Sequence, residues 1–289
     1  MRMIFDLFKL RIGLVIALTA LAGVAVEPGP GPGPARVALL FLAVFLSSAA
    51  AGAFNQYFEA DLDRRMKRTR GRPFATGRLR RHAGWPWFLA ALVASAAALA
   101  WFATNAEAAA FTFLGAFVYA IVYTVWLKRR SWTNIVVGGA AGSFAVLAGA
   151  AAVSPSLSAE ALLLALVLFL WTPPHFWSLA IACRADYVEA GVPMLPVVSG
   201  DARAARVIFV HAVVLVVLSL ALALLTPGMV YLAFAAGGGA LFMLRAWQLV
   251  LEPTRARAMR CFFASLIQLS LVLLGVMFDA GVRLTAGAS

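Results

Sequence analysis

The apolar residues of this chain are gathered into nine runs of about 20 residues, the length at which a helix crosses roughly 30 Å of hydrocarbon. The runs fall at about 12–27, 36–57, 85–103, 108–127, 134–153, 160–182, 206–226, 228–248 and 260–280. Turn and charge signals separate them: "EPGPGPGP", the basic stretch after Asp63, "TNAE", "KRRSWT", "SPSLS", the long segment 183–205, "TPG" and "EPTRARAMR". In lipid every backbone polar group needs an internal partner, so runs this long must be helices. Composition agrees, with 63% hydrophobic and 12% charged residues against about half and a quarter in soluble domains. The expected fold is all-α: a polytopic membrane helical bundle of about nine transmembrane helices, with residues 1–289 as a single integral-membrane domain.

The first run follows a basic start (Arg2, Lys9, Arg11), but "AVEPGPGP" is not a cleavage site and further spans follow, so it reads as a retained helix. Cys183 and Cys261, at inferred helix ends, fit neither metal-ligand spacing nor a disulfide framework and read as free thiols.

With the N-terminus on the cytoplasmic side, 22 of the 24 Lys and Arg residues fall on that side; only Arg36 and Arg283 fall outside. Positive charge concentrates on the cytoplasmic face of membrane proteins. The expectation is a multi-pass protein of the cytoplasmic membrane with its C-terminus on the opposite side. The formal charge of +12 is then mostly a topology signal. It does not argue for nucleic acid.

Topology does not explain the acids in "NQYFEADLDRRMKRTRGRP", residues 55–73. Asn55, Glu59 and Asp63 are spaced i, i+4, i+8, which on a helix confines them to a stripe of roughly 80°; Asp61 points elsewhere. Ionisable groups at membrane depth are costly and usually functional. Two carboxylates and an amide suit a hard cation such as Mg²⁺, which binds through one or two carboxylates and substrate phosphates. The adjacent arginines suit the phosphates themselves. Acids and bases together suggest a diphosphate site; a solvated helix end with internal salt bridges is the alternative.

A second segment, "FLWTPPHFWSLAIACRADYVEAGVPMLPVVSG" (169–200), repeats the design. Pro173 and Pro174 remove two backbone donors within the span, which predicts a kink. His175 follows directly, and Asp186 and Glu189 lie beyond the span's end.

On "NQYFEADLDRRMKRTRGRP", "YTVWLKRRSWTNIVVGGAAG" and "TPPHFWSLAIACRADYVEAGVPMLPVVSG", the chain resembles the UbiA-type intramembrane prenyltransferases. PPHFW and DYxxAGxPMLP make it most similar to their haem branch, the protohaem IX farnesyltransferases or haem O synthases. The resemblance implies a helical bundle around a cavity open to lipid. It implies transfer of farnesyl from farnesyl diphosphate to a vinyl group of haem B with addition of water, giving haem O. It implies Mg²⁺ on the acidic motifs as cofactor and a downstream haem A synthase as a partner. Asn55, Glu59 and Asp63 match the first motif and Asp186 the second, as metal-binding and catalytic residues. Two departures stand out. Glu59 occupies a position where the family usually has Asp. Cys183 and Ala185 stand where a second acid is often found, so Glu189, Asp61 or water would complete the second site.

Diphosphate leaves readily only once its charge is neutralised. Arg68, Arg72, Lys128, Arg129 and Asn134 are candidate diphosphate contacts, with orientation-setting as the alternative for the basic ones. His175 and Tyr187 of the haem-branch motif are further substrate-binding candidates, His175 either towards haem iron or towards a propionate or water. Trp171, Phe176, Trp177 and Phe54 are candidate walls for the allylic cation. Gly138, Gly139 and Gly142 read as sites of close helix approach, with room for a flat ligand as the alternative. Three rivals remain: a UbiA-type enzyme with another aromatic or tetrapyrrole acceptor, a transporter with a broken helix, and a non-catalytic haem-binding protein.

Overall fold

In the computed structural model, residues 2–226 and 228–286 are described; the side chains of Arg2 and of residues 283–286, Arg283 included, lie outside the described residues. The helices are α1 (Arg2–Leu7), α2 (Leu10–Val26), α3 (Pro34–Phe58), α4 (Ala60–Arg65), α5 (Gly84–Ala103) and α6 (Ala106–Phe117). After a π-helical segment, Val118–Leu127, come α7 (Asn134–Gly138), α8 (Ala140–Val153), α9 (Ala159–Ala182), α10 (Arg184–Glu189) and α11 (Leu195–Ser199). The chain continues with α12 (Asp201–Leu225), α13 (Met229–Leu251) and α14 (Arg255–Ala286). Among the described residues, eight helices are long and apolar enough to cross a membrane, and the 17-residue α2 is a shorter apolar helix in the place of the first expected span.

Successive spans pack side by side: α3 on α5, α5 on α6, α6 on α8, α8 on α9, α9 on α12, α12 on α13 and α13 on α14, while α2 packs on α3, α8 and α14 and closes the ring. Small residues set the tightest crossing. A Cβ at Gly23 of α2 would collide with the Val146 carbonyl of α8, and one at Gly149 of α8 with the Ala20 carbonyl. In a bilayer, where apolar burial gives no drive between helices, such close approach is what holds a pair. Large apolar side chains face outward instead, Trp87 and Phe102 being 78% and 86% exposed, as a lipid-facing surface requires.

Two acids far from the 55–72 cluster have structural work. Glu27 accepts from the Ser158 backbone N–H and hydroxyl at the start of α9. Asp279 accepts from the Tyr231 N–H in the first turn of α13. Both place negative charge at a helix N-terminus, where it is favoured.

α9 runs through Pro173 and Pro174 without a break and ends at Ala182. Three other expectations are corrected. The fourth span is not α-helical to its end, since Val118–Leu127 is π-wound, with the Lys128 N–H on the Tyr123 carbonyl at 2.9 Å. The fifth span divides at Gly139 into α7 and α8. Cys261 lies within α14, fully buried, rather than at a helix end.

Candidate functional site: an ion-paired cluster above an apolar cavity

The stripe Asn55, Glu59, Asp63 survives although α3 stops at Phe58 and α4 starts at Ala60. The Glu59 N–H still bonds the Asn55 carbonyl at 3.0 Å and the Asp63 N–H the Glu59 carbonyl at 2.8 Å, so the four-residue register crosses the junction. All three side chains are buried, as is Asp186. Each finds a partner from another part of the chain. Lys128 pairs with Glu59 Oε2. Arg72 Nη1 lies 2.8 and 3.0 Å from the two oxygens of Asp63. The Arg68 N–H donates to Asp186 Oδ2 at 3.2 Å, which ties the two acidic motifs together through the loop between α4 and α5.

Asn55 has a partner that the sequence did not announce. Lys9, the residue before α2, donates to Asn55 Oδ1 at 2.7 Å and to the Tyr119 hydroxyl at 3.2 Å. Its backbone is left-handed at φ 48°, the only positive φ at a non-glycine among the described residues, a conformation that costs a bulky residue energy and so needs a compensating contact. Removal from water, then the nearby Arg72 charge, hold the Lys9 ammonium well below its ordinary pKa.

The π-helical winding explains how the opposite wall is built. At roughly 80° per residue, Tyr119, Tyr123, Thr124 and Lys128 share one face; α-helical winding would turn Lys128 away from Tyr119. Accordingly, Thr124 Oγ1 accepts from Asn55 Nδ2 at 3.1 Å while donating to the Tyr119 carbonyl, and Lys128 Nζ lies 5.5 Å from the Tyr123 ring centre.

Below the cluster lies a cavity of about 480 Å³, within the range of small-molecule sites. Lys9, Tyr119 and Tyr123 line it, as do Trp171, Thr172, His175 and Phe176 of α9. Lys9 therefore belongs to both the cluster and the cavity. Gly138, Gly139 and Gly142 line it too, but differ. A Cβ at Gly138 would stand 2.8 Å from the Tyr123 ring and one at Gly139 3.0 Å from Thr172, whereas one at Gly142 would meet open space. Two glycines permit close packing, and the third opens room.

Other candidates are placed apart. Arg129 forms a two-bond fork with Asp61 at 2.8 and 2.9 Å on the exposed side; this hydrogen bond lowers the pKa of Asp61 and raises that of Arg129. Asp61 is thus occupied, and Glu189 is exposed, so neither supplies the second acid next to Asp186. Asn134 is fully buried and donates to the Ser131 carbonyl; Tyr187 is buried on α10. Trp171 and Phe176 face the cavity, but Trp177 packs edge-on against His211 and Phe54 stacks on Phe58. His211 also sits against the Val207 carbonyl.

A cation fits this donor set. Glu59 Oε1 and Asn134 Oδ1 are buried with no hydrogen-bond partner, and an unpaired buried acceptor is costly unless something positive reaches it. Among the described residues no three acids or histidines converge on one point. Mg²⁺, which takes one or two carboxylates, would therefore need water and substrate phosphate oxygens to complete its shell here.

Residues 16–268 match the UbiA prenyltransferase family. The chain is 55% identical to Protoheme IX farnesyltransferase 2 of Paramagnetospirillum magneticum over 96% of its own length and 97% of the relative's. Among solved structures, it resembles digeranylgeranylglyceryl phosphate synthase with a TM-score of 0.79 at 20% identity, covering 96% of this chain and 98% of the other. It resembles a UbiA homologue from Archaeoglobus fulgidus, bound to DMAPP and Mg²⁺, with a TM-score of 0.70 at 16% identity, covering 93% and 98%. The helical ring is therefore a shared fold, and with a family match spanning most of its length this multi-pass membrane protein belongs to the UbiA prenyltransferase family.

Proposed function

We propose that the chain transfers the farnesyl group of farnesyl diphosphate to a vinyl group of haem B, with addition of water, and releases haem O and diphosphate. The observation that carries this reading is a buried acid–base cluster opening onto an apolar, aromatic-lined cavity, in a chain more than half identical to a protein named protohaem IX farnesyltransferase. Residues 1–289 act as one unit, with the cluster on the cytoplasmic side.

Asn55, Glu59, Asp63 and Asp186 would hold Mg²⁺, which neutralises diphosphate charge when bound. In the structure these positions are compensated by Lys9, Lys128, Arg72 and the Arg68 N–H. Binding of diphosphate gives the same basic groups a second anion, so Lys128 and Arg72 turn from carboxylate partners into diphosphate contacts. Arg129, held by Asp61 on the exposed side, instead braces the rim. Asn134 and Tyr187 complete the buried wall. Lys9, at the junction of cluster and cavity, meets the ester oxygen that leaves.

The C1–oxygen bond breaks with its electron pair going to diphosphate. The vinyl group attacks C1, leaving a cation next to the macrocycle, and water adds there with loss of a proton. Trp171 and Phe176 shield the allylic cation from water until the vinyl group arrives. No side-chain nucleophile is required. A haem A synthase downstream would consume the product.

Purified protein supplied with haem B, farnesyl diphosphate and Mg²⁺ should yield haem O by mass spectrometry. Transfer to 4-hydroxybenzoate with none to haem B would assign the chain to another branch of the family.

A further inference from the structure

His175 has a use that packing does not explain. Its ring is clamped between Trp171 and Phe262, with centroids at 4.2 and 4.3 Å and both faces stacked, and Phe176 stands edge-on at 5.0 Å. Nδ1 lies 2.7 Å from Ser265 Oγ, and that hydroxyl lies 2.7 Å from the Phe262 carbonyl. A carbonyl only accepts, so the single Ser265 hydrogen goes to Phe262. With the Ser265 hydrogen placed there, Nδ1 is the nitrogen that carries hydrogen and donates to Ser265 Oγ, beside the Phe262 carbonyl.

Nε2 is left with a lone pair. Among the described residues it has no hydrogen-bond partner, and His175 lines the cavity. Most buried side-chain polar atoms have a partner, so an open nitrogen on a buried ring asks for an explanation. One nitrogen fixed as a donor, with the other turned to open space, is how metal-ligating histidines are held, and imidazole is a common axial ligand of haem iron.

We infer that His175 binds the iron of the acceptor haem through Nε2, with Ser265 as the positioning residue that fixes the tautomer. This rests on haem B being the acceptor. The iron belongs to the substrate, and its capture sets where the macrocycle sits in the cavity, leaving the vinyl edge to face the charged end.

Resonance Raman spectra of ferrous haem B bound to the purified full chain test this. The wild type should show an iron–imidazole stretching band. His175→Ala should lose the band and weaken haem B binding at least about tenfold, leave binding of metal-free protoporphyrin IX unchanged, and regain the band when imidazole is added. Should His175→Ala fail to fold, Ser265→Ala keeps the imidazole and should move the band to lower frequency, since Nδ1 loses its acceptor. A wild-type complex without the band, a His175→Ala complex that retains it, equal weakening towards haem B and protoporphyrin IX, or an unmoved band in Ser265→Ala would overturn the inference. Turnover in the same preparation separates the two readings: a band without haem O formation overturns the transfer reading alone, and haem O without a band overturns ligation alone.

Discussion

At the scale of single residues, the site depends on which charges are already answered. Glu59 has one oxygen on Lys128 and one with no partner. Glu59→Gln should therefore raise the Mg²⁺ concentration for half-maximal turnover by about 10–100-fold; an unchanged Mg²⁺ titration would remove Glu59 from the cation site. Lys9→Met should lower turnover roughly 100-fold, the scale of losing one preorganised donor to developing negative charge; turnover within threefold of wild type would make Lys9 a packing residue. The acids were legible because i, i+4, i+8 spacing is a local property of the chain. Lys9 was not. It stands two positions from the exposed Arg11, and nothing in "FKLR" tells which of the two basic residues turns inward. Only the left-handed backbone before α2 and the distant Asn55 decide it.

At the scale of elements, α8 carries two glycines with opposite duties. Gly149→Leu should drive α2 and α8 apart and cost about 1–3 kcal/mol, read as a lowered unfolding midpoint in detergent. A Cβ at Gly142 would enter open space, so Gly142→Leu should extend into the cavity, with the midpoint held while turnover falls; a fall in the midpoint for Gly142→Leu alone would reverse the assignment. The sequence marked Gly142 as a small residue in a span but not that it faces open space, and the role of Gly149 is set by Ala20 and Val24 of the distant α2. The π-helical stretch was equally hidden. "VYAIVYTVWL" holds no Gly or Pro, and its winding is justified only by the contacts of Thr124 and Lys128 with α3 and its cap. The Pro-Pro step shows the limit of a local rule: two donors are missing, yet α9 continues through Pro173 and Pro174 to Ala182.

At the scale of the whole molecule, apolar run length was enough to lay out the ring of spans, because each run answers to bilayer thickness rather than to distant contacts. The lopsided distribution of Lys and Arg predicts that the α4–α5 loop faces the cytoplasm. Arg70→Cys, in a background lacking Cys183, should react with a membrane-impermeant maleimide in inverted vesicles and not in intact cells; the opposite pattern would invert the topology. The central claim is that the buried acids of two distant segments act together on a diphosphate at the head of the cavity. Single-turnover farnesyl transfer to haem B by Asp63→Asn and Asp186→Asn tests it most directly. Both variants should lose on the order of 100-fold or more in rate while binding haem B as the wild type does, and full activity in either would contradict the account.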